Sequence, residues 1–287
     1  MSTETSLEIL EYAAFTFRGT GGNPAGVVLQ AGGLSGEDMR AIAADLGYSE
    51  SAFVTARRSD RDLDLRYYSP LAEVPFCGHA TVATAVALAE RHGPGDFVFR
   101  TQVGEIPVST AAGEDGQLQA TLTTVPTHNR PATPDELSRG LDALGWSEAD
   151  LDPRYPARVA FAGNEHLVLA VHDRRTLATL DYDFDALGAL MAERGWITLQ
   201  LVWAESPSLF HARDPFPPGG VVEDPATGAA AGAFGGYLAD LGLLAPGEQI
   251  TLLQGFDHGT PSLLLVEPDS TGRVRVSGAA SPRAPRP

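Results

Sequence analysis

The sequence predicts an α/β protein of the α+β kind, made of two related domains in which strands wrap around one buried apolar helix. Three observations predict it. At about 150 residues per domain, a chain of 287 residues makes roughly two. Segments 79–92 and 229–241 read as helices that are almost wholly apolar, so each belongs in a core and not on a surface. The segments around each helix read as short strands bounded by Gly, Pro and Asn turns.

In chain order, residues 7–18 read as a strand, Gly19 to Pro24 as a tight turn, and 25–29 as a second strand. A helix follows over 35–46, with Ser35 as N-cap, Asp38 in the first turn and Gly47 as the stop. Residues 51–55 are short and apolar, and DLDLRYY at 62–68 alternates with period two, as a strand with one buried face does. A polar loop leads to the first apolar helix, which Gly93-Pro94-Gly95 ends. Segments 97–100, 104–110 and 117–124 read as successive antiparallel strands. The prolines of 126–135 mark the crossing between halves, which places the first domain at 1–125 and the second at 126–269. A strand within 270–280 is a candidate to return to the first domain. The second half reads as helices at 135–144 and 185–194, strands at 158–162, 166–171, 197–204 and 209–213, and a long Pro/Gly loop at 214–228. The second apolar helix comes next, then strands at 250–253, 262–267 and 273–276; residues 278–287 read as an unstructured tail.

The two apolar helices and their leaders match at an offset of 150 residues. EVPFCGHATVATAVALAERHG from Glu73 and EDPATGAAAGAFGGYLADLGL from Glu223 share Glu73/Glu223, Pro75/Pro225 and Gly78/Gly228 before the Ala-rich part begins. Ala-rich helices resemble one another by composition alone, but the shared Glu, Pro and Gly lie outside that part. Gly78 and Gly228 each open a helix, whose free N–H groups and positive dipole end suit an anion such as a substrate carboxylate. Glycine there lets a ligand approach the backbone.

Composition removes several chemistries. All 20 basic residues are arginine, so there is no P-loop lysine and no Schiff-base lysine for pyridoxal phosphate. The single cysteine, Cys77, excludes an internal disulfide, a Cys-x-x-Cys pair and a cysteine zinc cluster. The net charge of −17 disfavours nucleic acid and anionic membrane as partners. No apolar run approaches the ~20 residues that span a bilayer, and the N-terminus has no basic-then-apolar leader; with the lone thiol, these features point to the cytoplasm. The seven histidines are scattered, with no His-Glu-x-x-His, so no metal is expected. No Gly-x-Ser-x-Gly elbow appears, and Pro24 breaks a dinucleotide loop read from Gly19.

Three titratable residues stand beside these features. Glu50 sits at the mouth of the apolar strand SESAFV, His79 opens the first buried helix, and Asp224 lies four residues before Gly228. Two carboxylates and one imidazole suffice to abstract and return a proton. Each also has a bland reading: Glu50 as a solvated strand-edge carboxylate, His79 as a structural first-turn residue, Asp224 as a turn former. Cys77 reads as a buried inert thiol, with nucleophile or acid as the alternative.

Gly22-Asn23-Pro24-Ala25, Ser49 to Val54, Glu73 to Thr81, Glu223 to Gly228 and Gln254-Gly255 together resemble the phenazine biosynthesis PhzF-like family, in order and over about residues 12–265. The resemblance implies a fold like that of diaminopimelate epimerase: two pseudo-symmetric domains, each a barrel-like, mostly antiparallel sheet around a central helix, with the active site between them. It implies a homodimer that uses no cofactor or metal. It implies Glu50 as the proton shuttle, His79 and Asp224 as its catalytic assistants, and Asn23, Ser51, Gly78, Gly228 and Ala229 at the substrate. Ala229 stands where the family often has serine, Thr260 where it often has arginine, and Ala13-Ala14 where it usually has an aspartate.

The function this implies is a cofactor-independent isomerase that moves a proton between carbons of a small carboxylate or amino-acid-derived intermediate, in antibiotic or phenazine-like secondary metabolism. An amino-acid epimerase or racemase and a non-catalytic small-molecule-binding member are the alternatives. A thiol-pair epimerase needs cysteines at both helix starts, and here Gly78 and Ala229 take those places.

Overall fold

A computed structural model describes residues 7–113 and 116–283. The chain forms two compact units, Met1–Leu122 with Gly278–Pro287, and Thr123–Ser277.

The first unit runs β1 (Leu10–Ala14), β2 (Asn23–Val28), α1 (Gly36–Leu46), β3 (Ser51–Arg57), β4 (Asp62–Tyr68), β5 (Glu73–Val74), α2 (Gly78–His92), β6 (Gly95–Thr101), β7 (Gly104–Ala112) and β8 (Leu118–Thr123). The strand predicted over 7–18 is shorter because Phe15 and Arg18 take left-handed φ values of 60° and 53°, which break the ladder. Gly22 has a φ of +79°, and a Cβ there would stand 2.6 Å from the Ala14 carbonyl oxygen, so only glycine makes this turn into β2. Ser35 and Asp38 form a capping box at the start of α1, and Gly47 closes it in the left-handed region. Along α2 every residue from His79 to Ala89 is buried, and the helix packs on β1, β2, β3 and β7. Alanine and valine keep it slender enough for strands on several sides.

The second unit runs β9 (His128–Pro131), α3 (Pro134–Leu144), β10 (Arg158–Phe161), β11 (Glu165–Val171), α4 (Arg174–Ala178), α5 (Phe184–Arg194), β12 (Trp196–Ser206) and β13 (Leu209–Arg213). It continues with β14 (Pro215–Phe216), β15 (Val221–Glu223), α6 (Gly228–Asp240), β16 (Ile250–Gln254), β17 (Ser262–Pro268) and β18 (Val274–Pro282). The loop predicted at 214–228 thus contains a small two-stranded sheet, β14 with β15. Helix α6 packs on β9, β10, β11, β12 and β17. Its glycines set the spacing: a Cβ on Gly235 would lie 2.5 Å from Val266, and one on Gly236 would lie 2.3 Å from the Thr127 hydroxyl oxygen. Helices α3, α4 and α5 form a separate apolar layer with β11 and β12, in which Leu141, Leu177, Leu187, Met191, Trp196 and Leu199 are buried.

Strand pairing repeats between the units. From β1 to β8, omitting the short β5, successive neighbours pair antiparallel, parallel, antiparallel, parallel, antiparallel and antiparallel. From β10 to β18, omitting β14 and β15, the same six relations recur in the same order. In each unit the apolar helix enters at the second parallel crossover. The tail predicted at 278–287 is corrected in part. Gly278–Pro282 continues β18, where Ala280, Ser281 and Pro282 pair with Ala14, Ala13 and Tyr12. Backbone pairing with β1 overrides a Pro/Ala composition that reads as disordered. This return closes the first unit's strands into an eight-stranded ring. Residues 284–287 lie outside the described residues.

Candidate active site

Each apolar helix is aimed by its leader. In the first unit Arg66 of β4 donates through Nε and Nη2 to both carboxylate oxygens of Glu73, at 2.7 and 2.6 Å. The Arg66 hydrogen bonds hold the Glu73 carboxyl below the usual carboxylate range. In the second unit Arg213 of β13 makes the same fork to Glu223, with Nε 3.0 Å from Oε2 and Nη2 on Oε1. The repeated glutamates are therefore anchors for the turns that start the two helices. Arg213 also donates through Nη1 to the carbonyl oxygens of Leu177 and Ala178, both at 3.1 Å, and so ties the end of α4 to the same point.

At the start of α2, three predicted or neighbouring groups converge. Glu50 Oε2 lies 3.7 Å from His79 Nε2 and 3.7 Å from Cys77 Sγ. Cys77 Sγ lies 3.3 Å from His79 Nδ1 and 3.7 Å from its Nε2. Cys77 and His79 are buried, and the Glu50 side chain keeps a fifth of its surface open. The Cys77 carbonyl accepts from Thr81 Oγ1 at 2.6 Å, and Thr81 Oγ1 is 2.7 Å from the buried Tyr67 hydroxyl, which fixes the first turn. Two residues on a rigid helix start and one ahead of β3 thus present a carboxylate, an imidazole and a thiol together. Histidine spacing along the chain carried no trace of this grouping, because two of its three members are not histidine.

The start of α6 carries a different set. Thr227 Oγ1 donates to Asp224 Oδ2 at 2.6 Å. Gln254 Nε2 donates to the Asp224 carbonyl at 2.8 Å and to Thr227 Oγ1 at 3.1 Å, and its Oε1 accepts from Thr227 N at 3.1 Å. Gly255 has a φ of +79°, and a Cβ there would lie 2.2 Å from the Thr260 carbonyl oxygen, which explains the Gln-Gly pair. Asp214 is fully buried beside this network, and neither of its carboxylate oxygens makes a hydrogen bond. The nearby Thr227 hydroxyl has one proton and gives it to Asp224. Burial pushes the Asp214 carboxyl well above the usual range, and the charges of Asp224 and then Glu223 add to this against the Thr227 hydroxyl. Asp214 was not legible as a site residue, since Asp-Pro in a Pro/Gly stretch reads as a turn.

The remaining predicted residues are placed as follows. Asn23 is buried at the first position of β2, opposite Ala14. Ser51 is fully buried, with its hydroxyl against Gly26 and without a hydrogen-bond partner, so it presents no surface in this conformation. Gly78 is half-buried, and a Cβ added there would meet only Leu122, at 3.9 Å. Gly228 and Ala229 are half-buried in the first turn of α6. Thr260, where the family often has arginine, has its hydroxyl 2.9 Å from His258 Nδ1.

Comparison with solved structures defines the class through the fold. A PhzF-family protein from Bacillus anthracis superposes with a TM-score of 0.84 at 24% identity, covering 97% of each chain. A protein of Agrobacterium radiobacter described as a probable proline racemase shares the fold at a TM-score of 0.63 and 12% identity, covering 98% of this chain and 93% of its own. The chain belongs to the phenazine biosynthesis-like protein family, whose model matches residues 12–284. Among curated relatives, an uncharacterized isomerase of Deinococcus radiodurans is 36% identical over 94% of this chain and 91% of its own. The trans-2,3-dihydro-3-hydroxyanthranilate isomerase of Pseudomonas aeruginosa is 31% identical over 92% of this chain and 93% of its own. The protein is an isomerase. Among the described residues, no helix is long and apolar enough to cross a membrane.

Proposed function

We propose that this isomerase moves a proton between two carbons of a small carboxylate derived from an amino acid, with Glu50 removing the proton and returning it. The observation that carries this reading is the Glu50–His79–Cys77 grouping at the start of α2. Its carboxylate keeps an open edge while its partners are buried, as a base that must meet substrate and then be reoriented requires. His79 stands where it can hand a hydrogen bond to Glu50, and the N-terminus of α2 favours negative charge developing on the substrate. In the second unit Asp224, held by Thr227 and Gln254, suits a polar group of a substrate; the first-turn N–H groups of each apolar helix, at Gly78 in one unit and at Gly228 and Ala229 in the other, each suit a carboxylate. The chain has no lysine, so a Schiff-base route to the same proton shift is closed to its own side chains.

The dihydro-hydroxyanthranilate named for the Pseudomonas aeruginosa relative is the first compound to offer, and that relative supports a place in secondary metabolism. We further propose a homodimer, which light scattering measures directly. The deciding experiment is incorporation of solvent deuterium into the substrate carbon, followed by mass spectrometry. Glu50→Gln is expected to lower it at least about a hundredfold. Full incorporation by Glu50→Gln overturns the mechanism. A product of inverted configuration points to an epimerase, and tight binding without exchange points to a binding protein.

A further inference from the structure

We propose that the same three side chains, Glu50, Cys77 and His79, form a zinc site, and that zinc held there reversibly inhibits the isomerase. The inhibitory half rests on Glu50 being the base; the binding half does not.

The geometry is that of a metal face. Glu50 Oε2, Cys77 Sγ and His79 Nε2 stand 3.7 Å apart along each of the three edges. A regular tetrahedron with edges of that length has its centre about 2.3 Å from each corner, against ligand distances of ~2.0–2.3 Å for zinc with oxygen, nitrogen and sulfur. Closing all three bonds requires the His79 ring to turn, because Cys77 Sγ lies nearer its Nδ1, at 3.3 Å, than its Nε2, at 3.7 Å. The donor set selects the metal: thiolate and imidazole suit zinc, whereas calcium and magnesium take oxygen ligands.

The surroundings also fit. Cys77 and His79 are buried on the first turn of α2, which the Tyr67–Thr81–Cys77 hydrogen bonds hold in place. Among the described residues Glu50 has no arginine partner that a metal would have to displace. The open edge of Glu50 leaves the fourth corner to water, the pattern of an accessible three-ligand site and not a closed structural one. The dipole at the start of α2 disfavours a cation, but three first-sphere ligands, one an anionic thiolate, outweigh that end charge. On binding, the Cys77 thiol releases its proton to solvent, and zinc takes the carboxylate lone pair that would otherwise receive the substrate proton.

The test uses the full chain stripped with a chelator. Cobalt(II) is added first as the spectroscopic probe, and zinc chloride is then titrated by calorimetry. One cobalt per chain is expected, with a thiolate-to-cobalt charge-transfer band and the visible absorption of a tetrahedral ion, both bleached by zinc. Cys77→Ser should remove the charge-transfer band, and both it and His79→Gln should weaken zinc at least about tenfold. Circular dichroism shows that each variant is folded. No charge-transfer band in the wild type, or unchanged zinc affinity in folded variants, overturns the site. Zinc should stop deuterium exchange by the wild type and a chelator should restore it; zinc binding with exchange intact overturns the inhibitory half. A stripped wild type that exchanges no deuterium into any small carboxylate, yet binds zinc through these residues, overturns the role of Glu50 and leaves the site standing.

Discussion

Arg213 holds Glu223 in a two-pronged fork in which both side chains are almost wholly buried, at 8% and 4% exposure. The first unit repeats the fork with Arg66 and Glu73, where exposure is 37% and 24%. One interaction thus starts both apolar helices, in two dielectric settings.

The two forks should differ in what they contribute. Removing one partner of a buried pair leaves the other charge unsolvated, which costs about 3–5 kcal/mol. Arg213→Ala is expected to lose that much in urea unfolding, and more because the carbonyls of Leu177 and Ala178 lose their donor as well. Arg66→Ala, at a half-open site, should lose about 1 kcal/mol or less. Equal losses would contradict the role given to burial.

Asp214 should make the protein less stable as pH rises. Its native carboxyl holds a proton above the unfolded value of about 3.9, so the native state binds more protons than the unfolded one over that window. Stability from this group is full below the unfolded value and declines as pH climbs toward the raised native one. Asp214→Asn keeps the shape and removes the titration. Its melting temperature should match the wild type near pH 4 and exceed it at pH 7.

His166 should act in the opposite sense. It is fully buried in β11 with Nδ1 2.9 Å from Thr198 Oγ1, and burial lowers it to about 4. The unfolded imidazole takes up its proton near 6.5, so stability is full above that value and is lost as pH falls toward 4. On the order of 3 kcal/mol disappears across the window. Nitrogen chemical shifts should show His166 still neutral at pH 5, and a charged ring at that pH would refute the assignment.

Gly78 and Gly255 separate a glycine kept for a ligand from one kept for the fold. Gly255→Ala forces a Cβ to within 2.2 Å of the Thr260 carbonyl at a positive φ and should destabilise by about 1–3 kcal/mol. Gly78→Ala meets only Leu122 at 3.9 Å, at a helical position where alanine is favoured. Its stability should hold or rise by up to about 1 kcal/mol while deuterium exchange falls at least about tenfold. Full activity in Gly78→Ala would show that no ligand uses that backbone.

Much of this was legible in the chain because the signals were local. The strand at 62–68 was read with its observed bounds from period-two alternation, and α1 from its Ser35 cap and Gly47 stop. The doubling showed through Glu, Pro and Gly at a constant offset of 150 residues. The arginines that explain those glutamates did not show, because Arg66 and Arg213 lie 147 residues apart and on other elements.

By itself, then, the sequence determined the repeat, the two core helices, the family and the set of titratable residues worth testing. Periodicity, caps and motifs are properties of neighbouring residues. Only the tertiary structure decided that Cys77 joins Glu50 and His79, that the Asp214 carboxyl is buried without a hydrogen bond, and that Gly278–Pro282 is a strand on β1. The last depends on strands that pair across more than two hundred residues, and the first two on how the turns fold back and which side chains the packing removes from water. Local patterning carries neither.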